Sequence, residues 1–172
     1  YLLAGNGSTA RWWDDALPHF QHYEVQALEL PGFGDNPQPP CADLADYAKA
    51  LLAATRPGNA IMAVGVNALL VLHALQRQPG HFSRSVLLAP VGAFIWQRSL
   101  PALMSPWPIR KTIHWLLANR PGLFAHKFSR QTWTPAQYQR MGDGYARCRA
   151  FMPYWDLFRA DTALPLLEWI ED

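Results

Sequence analysis

Leu28-Glu29-Leu30-Pro31-Gly32-Phe33-Gly34-Asp35-Asn36-Pro37 decides the fold. An apolar run entering from Glu24 stops at a Pro-Gly pair and passes through a second glycine to Asp-Asn-Pro, so it reads as a strand, Glu24–Leu30, released into a tight loop. Working outward, Tyr1–Ala4, Ala60–Gly65 and Ser85–Ala89 are further short apolar runs that end at Gly, Pro or Asn. Cys41–Thr55 lies between two of them. Its apolar residues Leu44, Tyr47, Ala48, Leu51 and Leu52 follow helical spacing, and Asp43 stands where an N-cap belongs. Asn67–Gln78 reads as a second helix. Strands alternating with helices, with connections long enough to cross over, give an α/β fold built on a parallel sheet.

Beyond Pro90 the alternation stops. Residues 91–160 carry Trp96, Trp107, Trp115, Trp133 and Trp155 among several prolines and read as a helical insertion with its own packing. Leu164-Pro165-Leu166-Leu167-Glu168-Trp169-Ile170 then looks like one more strand. The domain reading is a core of residues 1–90 and 161–172 with 91–160 inserted. Charge divides along the same line: ten Lys and Arg against Asp143 and Asp156 give the insertion +8, leaving five cations against eleven acids, or −6, on the core. Such a surface suits an acidic protein or an anionic lipid surface, or it is a solvated face that balances its own body.

Composition excludes several classes. With 15 Lys+Arg against 13 Asp+Glu over 172 residues, the chain lacks the charge of a dedicated nucleic-acid binder. Cys41 and Cys148 are its only cysteines and show no ligand spacing, so neither a disulfide framework, a zinc site nor any other metal or cofactor is expected, and the expected location is cytoplasmic. No apolar run reaches membrane-span length, and Tyr1-Leu2-Leu3 is not a signal peptide. A chain that opens without Met on a strand is expected to be a processed or fragmentary one. Gly5-Asn6-Gly7-Ser8 lacks the lysine of a phosphate loop, and Asp14-Asp15 and Asp43/Asp46 read as capping carboxylates.

Three stretches together resemble the α/β-hydrolase superfamily. Leu2-Leu3-Ala4-Gly5-Asn6-Gly7-Ser8, followed by Trp12-Trp13, is similar to its strand and oxyanion loop, with Ala4-Gly5 where a His-Gly pair normally stands. Leu28 to Pro37 resembles its DLPGFGxSxP loop, and Val64-Gly65-Val66-Asn67-Ala68-Leu69-Leu70 falls at the nucleophile elbow. The resemblance implies a partial hydrolase-like sheet, running from the family's third strand to its seventh, with residues 91–160 as a helical lid. It places Asn67 at the nucleophile position, the main-chain N–H groups of Asn6 and Ala68 at the oxyanion hole, and Asp172 at or beside the catalytic acid.

A carboxamide has no proton that a histidine could usefully remove, so Asn67 does not support covalent acyl catalysis. Of His19, His22, His73, His81, His114 and His126, none follows the last strand, where the family keeps its base. The expectation is therefore a non-catalytic protein that binds an apolar or acyl-bearing small molecule, or a partner protein, in the cleft under the lid. The alternative is an active ester, acyl or dehalogenase-like hydrolase whose catalytic His and acid lie outside this chain. A third possibility is an assembly module that docks through the basic lid. Unpaired outer strands also predict self-association or completion of the sheet by another chain.

Overall fold

The computed structural model describes residues 1–90, 106–123 and 133–157. Four strands form one sheet: β1 (Leu2–Leu3), β2 (Ala27–Leu28), β3 (Ala60–Val64) and β4 (Arg84–Leu88), in the order β2-β1-β3-β4. Every pairing is parallel, with Leu2 opposite Ala27 on one side and Met62 on the other. The expected strand Glu24–Leu30 is trimmed to two residues because β1 offers only two ladder partners, although the Leu2 N–H still reaches Gln26 O at 2.9 Å.

The crossovers are the two expected helices. In α1 (Leu44–Ala53), the Asp43 side chain accepts from the Asp46 N–H at 2.8 Å, and Leu44, Tyr47, Ala48 and Leu51 are buried. That stripe packs on α2 (Val66–Arg77), where Val66 to Leu72 are all buried. The main core joins Leu3, Ile61 and Ala63 of the sheet to Leu51, Leu69 and Leu70. A smaller cluster on the other face holds Leu2, Ala4 and Trp13, covered by 3-10 turns at Ala10–Trp13 and Leu17–Phe20. Burial on both faces explains why β1 carries only apolar residues.

After β4 come α3 (Trp107–Asn119), α4 (Pro135–Arg147) and α5 (Phe151–Leu157). Thr134 and Gln137 form a capping box at the start of α4, which fixes where that helix begins. No strand interrupts this region among the described residues. The strand expected at Leu164–Ile170, and Asp172 with it, lie outside the described residues.

Candidate functional site

At the carboxyl end of β3 the chain reverses into α2 on one residue. Gly65 takes φ 64° and ψ −129°, a conformation that costs a residue bearing a Cβ about 1–3 kcal/mol. Asn67, placed by the sequence at the nucleophile position, lies two residues further on, inside the first turn of α2. Its carboxamide is only 1% exposed and is committed at both ends: Nδ2 donates to Ala4 O, and Oδ1 accepts from the Tyr154 hydroxyl. The side chain thus joins the end of β1 to α5 across the first turn of α2. The Ala68 N–H, expected as an oxyanion donor, is bonded to Gly65 O at 3.1 Å within that turn. The Val66 N–H opens the helix, where no intrahelical acceptor exists.

Asn6 lies beside this turn on the loop after β1. Its Nδ2 donates to Phe151 O at 3.4 Å, and the Cys148 thiol lies 3.9 Å from its Oδ1. The loop closes with the Ser8 N–H on Gly5 O, and α4 rests directly on it. A Cβ on Gly7, whose φ is +83°, would overlap the Tyr145 ring, and one on Gly144 would stand 2.9 Å from Gly7 O. The sequence thus brings Asn6 and Asn67 to one end of the sheet, and residues 144–154 close over both.

Two titratable groups at this end are neutral. Burial pushes the Cys148 thiol up to about 12 and raises the Tyr154 phenol well above its ordinary value. Neither is a thiolate or phenolate at neutral pH. His114 is engaged with the covering residues: its Nε2 lies 2.7 Å from Tyr145 O and its ring stacks on Phe151 at 4.5 Å. His81 pairs with Thr55 Oγ1 at 2.9 Å, and His19 and His22 are exposed. His126 lies outside the described residues.

Three further residues shape this end. Gly65 was legible as a glycine between strand and helix. Tyr154 carried no signal, since an aromatic in a Trp-rich helical stretch reads as packing. Glu29 is a structural anchor: its carboxylate accepts from the Ala10 N–H at 3.0 Å and the Asp35 N–H at 2.7 Å, tying the loop after β2 to the loop after β1. Among the described residues, no group of three or more His, Cys, Asp or Glu is arranged to hold a metal, and no helix is long and apolar enough to cross a membrane. Two cavities lie away from Gly65. One of about 800 Å³ is at the amino ends of the strands beside Tyr1, Val25, Arg56 and Arg84, and one of about 680 Å³ lies beside β2.

No family model matches the chain, and no curated protein does. Solved structures do match. A deformylase of N-formylmaleamic acid from Pseudomonas putida superposes with a TM-score of 0.74 at 20% identity, over 96% of this chain and 67% of that one. A haloalkane dehalogenase from Agrobacterium tumefaciens gives 0.66 at 16% identity, over 96% of this chain and 64% of that one. A naproxen esterase from Bacillus subtilis gives 0.56 at 15%, over 85% and 52%. The chain therefore spans about two thirds of the deformylase and less of the other two. Parallel strand order, crossover helices and the sharp Gly65 turn agree with this likeness: the chain has the α/β-hydrolase fold.

Proposed function

We propose that this chain is a non-catalytic α/β-hydrolase-fold protein that holds an apolar or acyl-bearing small molecule at the carboxyl ends of its strands, with the helices after β4 as its lid. One observation carries the reading. In enzymes of this fold the attacking hydroxyl stands on the strained strand-to-helix turn, and here that turn is Gly65, which has no side chain. The nucleophile seat is accordingly read at Gly65 rather than at Asn67, and the oxyanion donor moves with it from Ala68 to Val66. Asn67 becomes a structural tie.

What such a site retains is binding chemistry. The N-terminus of α2 presents main-chain N–H groups and the positive end of the helix dipole, which suit the carbonyl or carboxylate of an acyl group. Without a nucleophile or a positioned base, an acyl group held there is not cleaved. Free thiols at Cys41 and Cys148 support the cytoplasmic part of the reading. Val86 and Leu88 on β4 are 43% and 39% exposed, which supports self-association or a completing chain.

The second reading, an active hydrolase completed from outside this chain, is favoured by the neighbours being named as a deformylase, a dehalogenase and an esterase. Turnover of p-nitrophenyl acyl esters and of haloalkanes by the unmodified chain separates the two. The expected result is no rate above background, with fatty acids still raising the melting temperature. Gly65→Ser restores an attacking atom but no base, so at most a single-turnover burst is expected, read as an acyl adduct by mass spectrometry. Multiple turnovers by the unmodified chain would overturn the non-catalytic reading.

A further inference from the structure

Helix α3 has two unlike faces. Arg110, Ile113 and Leu117 point inward and are buried, with the Arg110 guanidinium donating to Met152 O at 3.2 Å and to Asp156 Oδ1 at 2.8 Å. Trp107, Lys111 and Trp115 recur every four residues on the outward side, so they form one row. The two tryptophans are 62% and 58% exposed. Lys111 Nζ lies 5.1 Å over the Trp107 ring, which holds the cation beside the indole. Leu123, just past the helix, is 59% exposed, and Arg120 is exposed next to it. No Asp or Glu occurs between Trp107 and Leu123.

We infer that this outward face of α3 docks on an anionic lipid surface, with Trp107 and Trp115 seated in the headgroup layer and Lys111 and Arg120 beside the lipid phosphates. Tryptophan pairs an apolar body with a ring N–H, which suits the boundary between water and acyl chains. A helix of 13 residues is about 20 Å long, too short to span a bilayer and long enough to lie in its plane. Charge selects the occupant. A second copy meeting this face would bring together two faces that each carry Lys111 and Arg120 and no carboxylate, whereas a bilayer rich in phosphatidylglycerol supplies the opposite charge. This inference is independent of how the carboxyl ends of the strands are used.

The test is co-sedimentation of the unmodified chain with phosphatidylcholine vesicles, with and without about a third phosphatidylglycerol. Binding is expected only to the anionic vesicles, with a blue shift in tryptophan emission and release as salt rises. Trp107→Ala with Trp115→Ala is expected to lower the bound fraction at least about tenfold, and Lys111→Glu to lower it further, with the helical circular dichroism unchanged. Arg147→Ala, outside the face, is expected to bind as the parent does. Three results would each overturn the inference. They are no binding to anionic vesicles at low ionic strength, equal binding by the double tryptophan variant, and concentration-dependent self-association that this variant abolishes.

Discussion

The two helical stretches after β4 meet the rest of the molecule in opposite ways. Residues 134–154 are bonded to the sheet end at many points. Tyr145 and Gly144 rest on Gly7, Tyr154 is tied to Asn67, and the Ala150 N–H reaches Gly32 O at 3.0 Å. Arg140 pairs with Asp15, Arg147 with Asp35 at 2.9 Å, and Arg149 donates to Gln38 O at 3.1 Å. Helix α3 instead packs on α4 and α5 and leaves a row of side chains facing solvent. The region expected as one lid therefore contains a fixed wall and an outward arm. Of the positive charge of the insertion, Arg140, Arg147 and Arg149 of the wall are engaged within the chain, as is Arg110 on the inward face of α3.

The sharpest way to break the comparison is to push the wall off the loop. Gly7→Ala adds a Cβ at φ +83° that overlaps the Tyr145 ring. Left-handed strain and overpacking together should cost about 3 kcal/mol, or about 6–12 °C in melting temperature for a chain of this size. Trp115→Ala on the arm should stay within about 0.5 kcal/mol of the parent. Equal losses from the two variants would erase the distinction between wall and arm.

Next in size is the buried tie. Tyr154→Phe removes the hydroxyl that donates to Asn67 Oδ1 and leaves that oxygen buried without the donor. The expected loss is about 1–3 kcal/mol in denaturant unfolding. Asn67→Ala removes the other partner of the same bond, so the double variant should lose less than the sum of the single ones. Strict additivity would mean that the pair is not coupled.

The sheet was legible because its signals are local. Apolar runs closed by Gly or Pro locate all four strands, and the Leu44-Tyr47-Ala48-Leu51 stripe with the Asp43 cap locates α1. The strand-to-helix turn was legible only to within two residues. The stretch from Val64 to Leu70 announces a strand-to-helix turn, but which residue takes the reversal depends on where β3 stops pairing with β4, a non-local fact. Asn67 drew the reading because it has a side chain with chemistry. Gly65 has none, and its conformation is visible only in the backbone. The partners of the wall could not be read either, because Arg140–Asp15, Arg147–Asp35 and Tyr154–Asn67 join residues far apart in sequence.

Exposed ion pairs should matter less than either of these. Arg147 and Asp35 both reach solvent, with side chains 37% and 75% exposed, and removing the pair by Arg147→Ala should cost no more than about 1 kcal/mol. The loss should shrink as salt rises. A loss as large as that of Tyr154→Phe, unchanged by salt, would show that the wall is held chiefly by charge.

The smallest effect is a pH dependence at the foot of α4. Asp15 accepts from Gln137 Nε2 at 2.9 Å and pairs with Arg140, and these hydrogen bonds, Gln137 first, lower its carboxyl below the ordinary 3.8. A carboxylate whose folded value is depressed contributes its stability fully above the unfolded value and loses it as pH falls through the folded one. Asp15→Asn should therefore lower the melting temperature slightly near neutral pH, and the gap should close as the buffer is taken below 3.8. Because Asp15 is exposed, the gap should also narrow with salt. The arm supplies the control: no acidic residue lies between Trp107 and Leu123, so emission from Trp115 should not follow this titration. A gap that stays constant from neutral to acid would mean that Asp15 holds α4 through shape rather than charge.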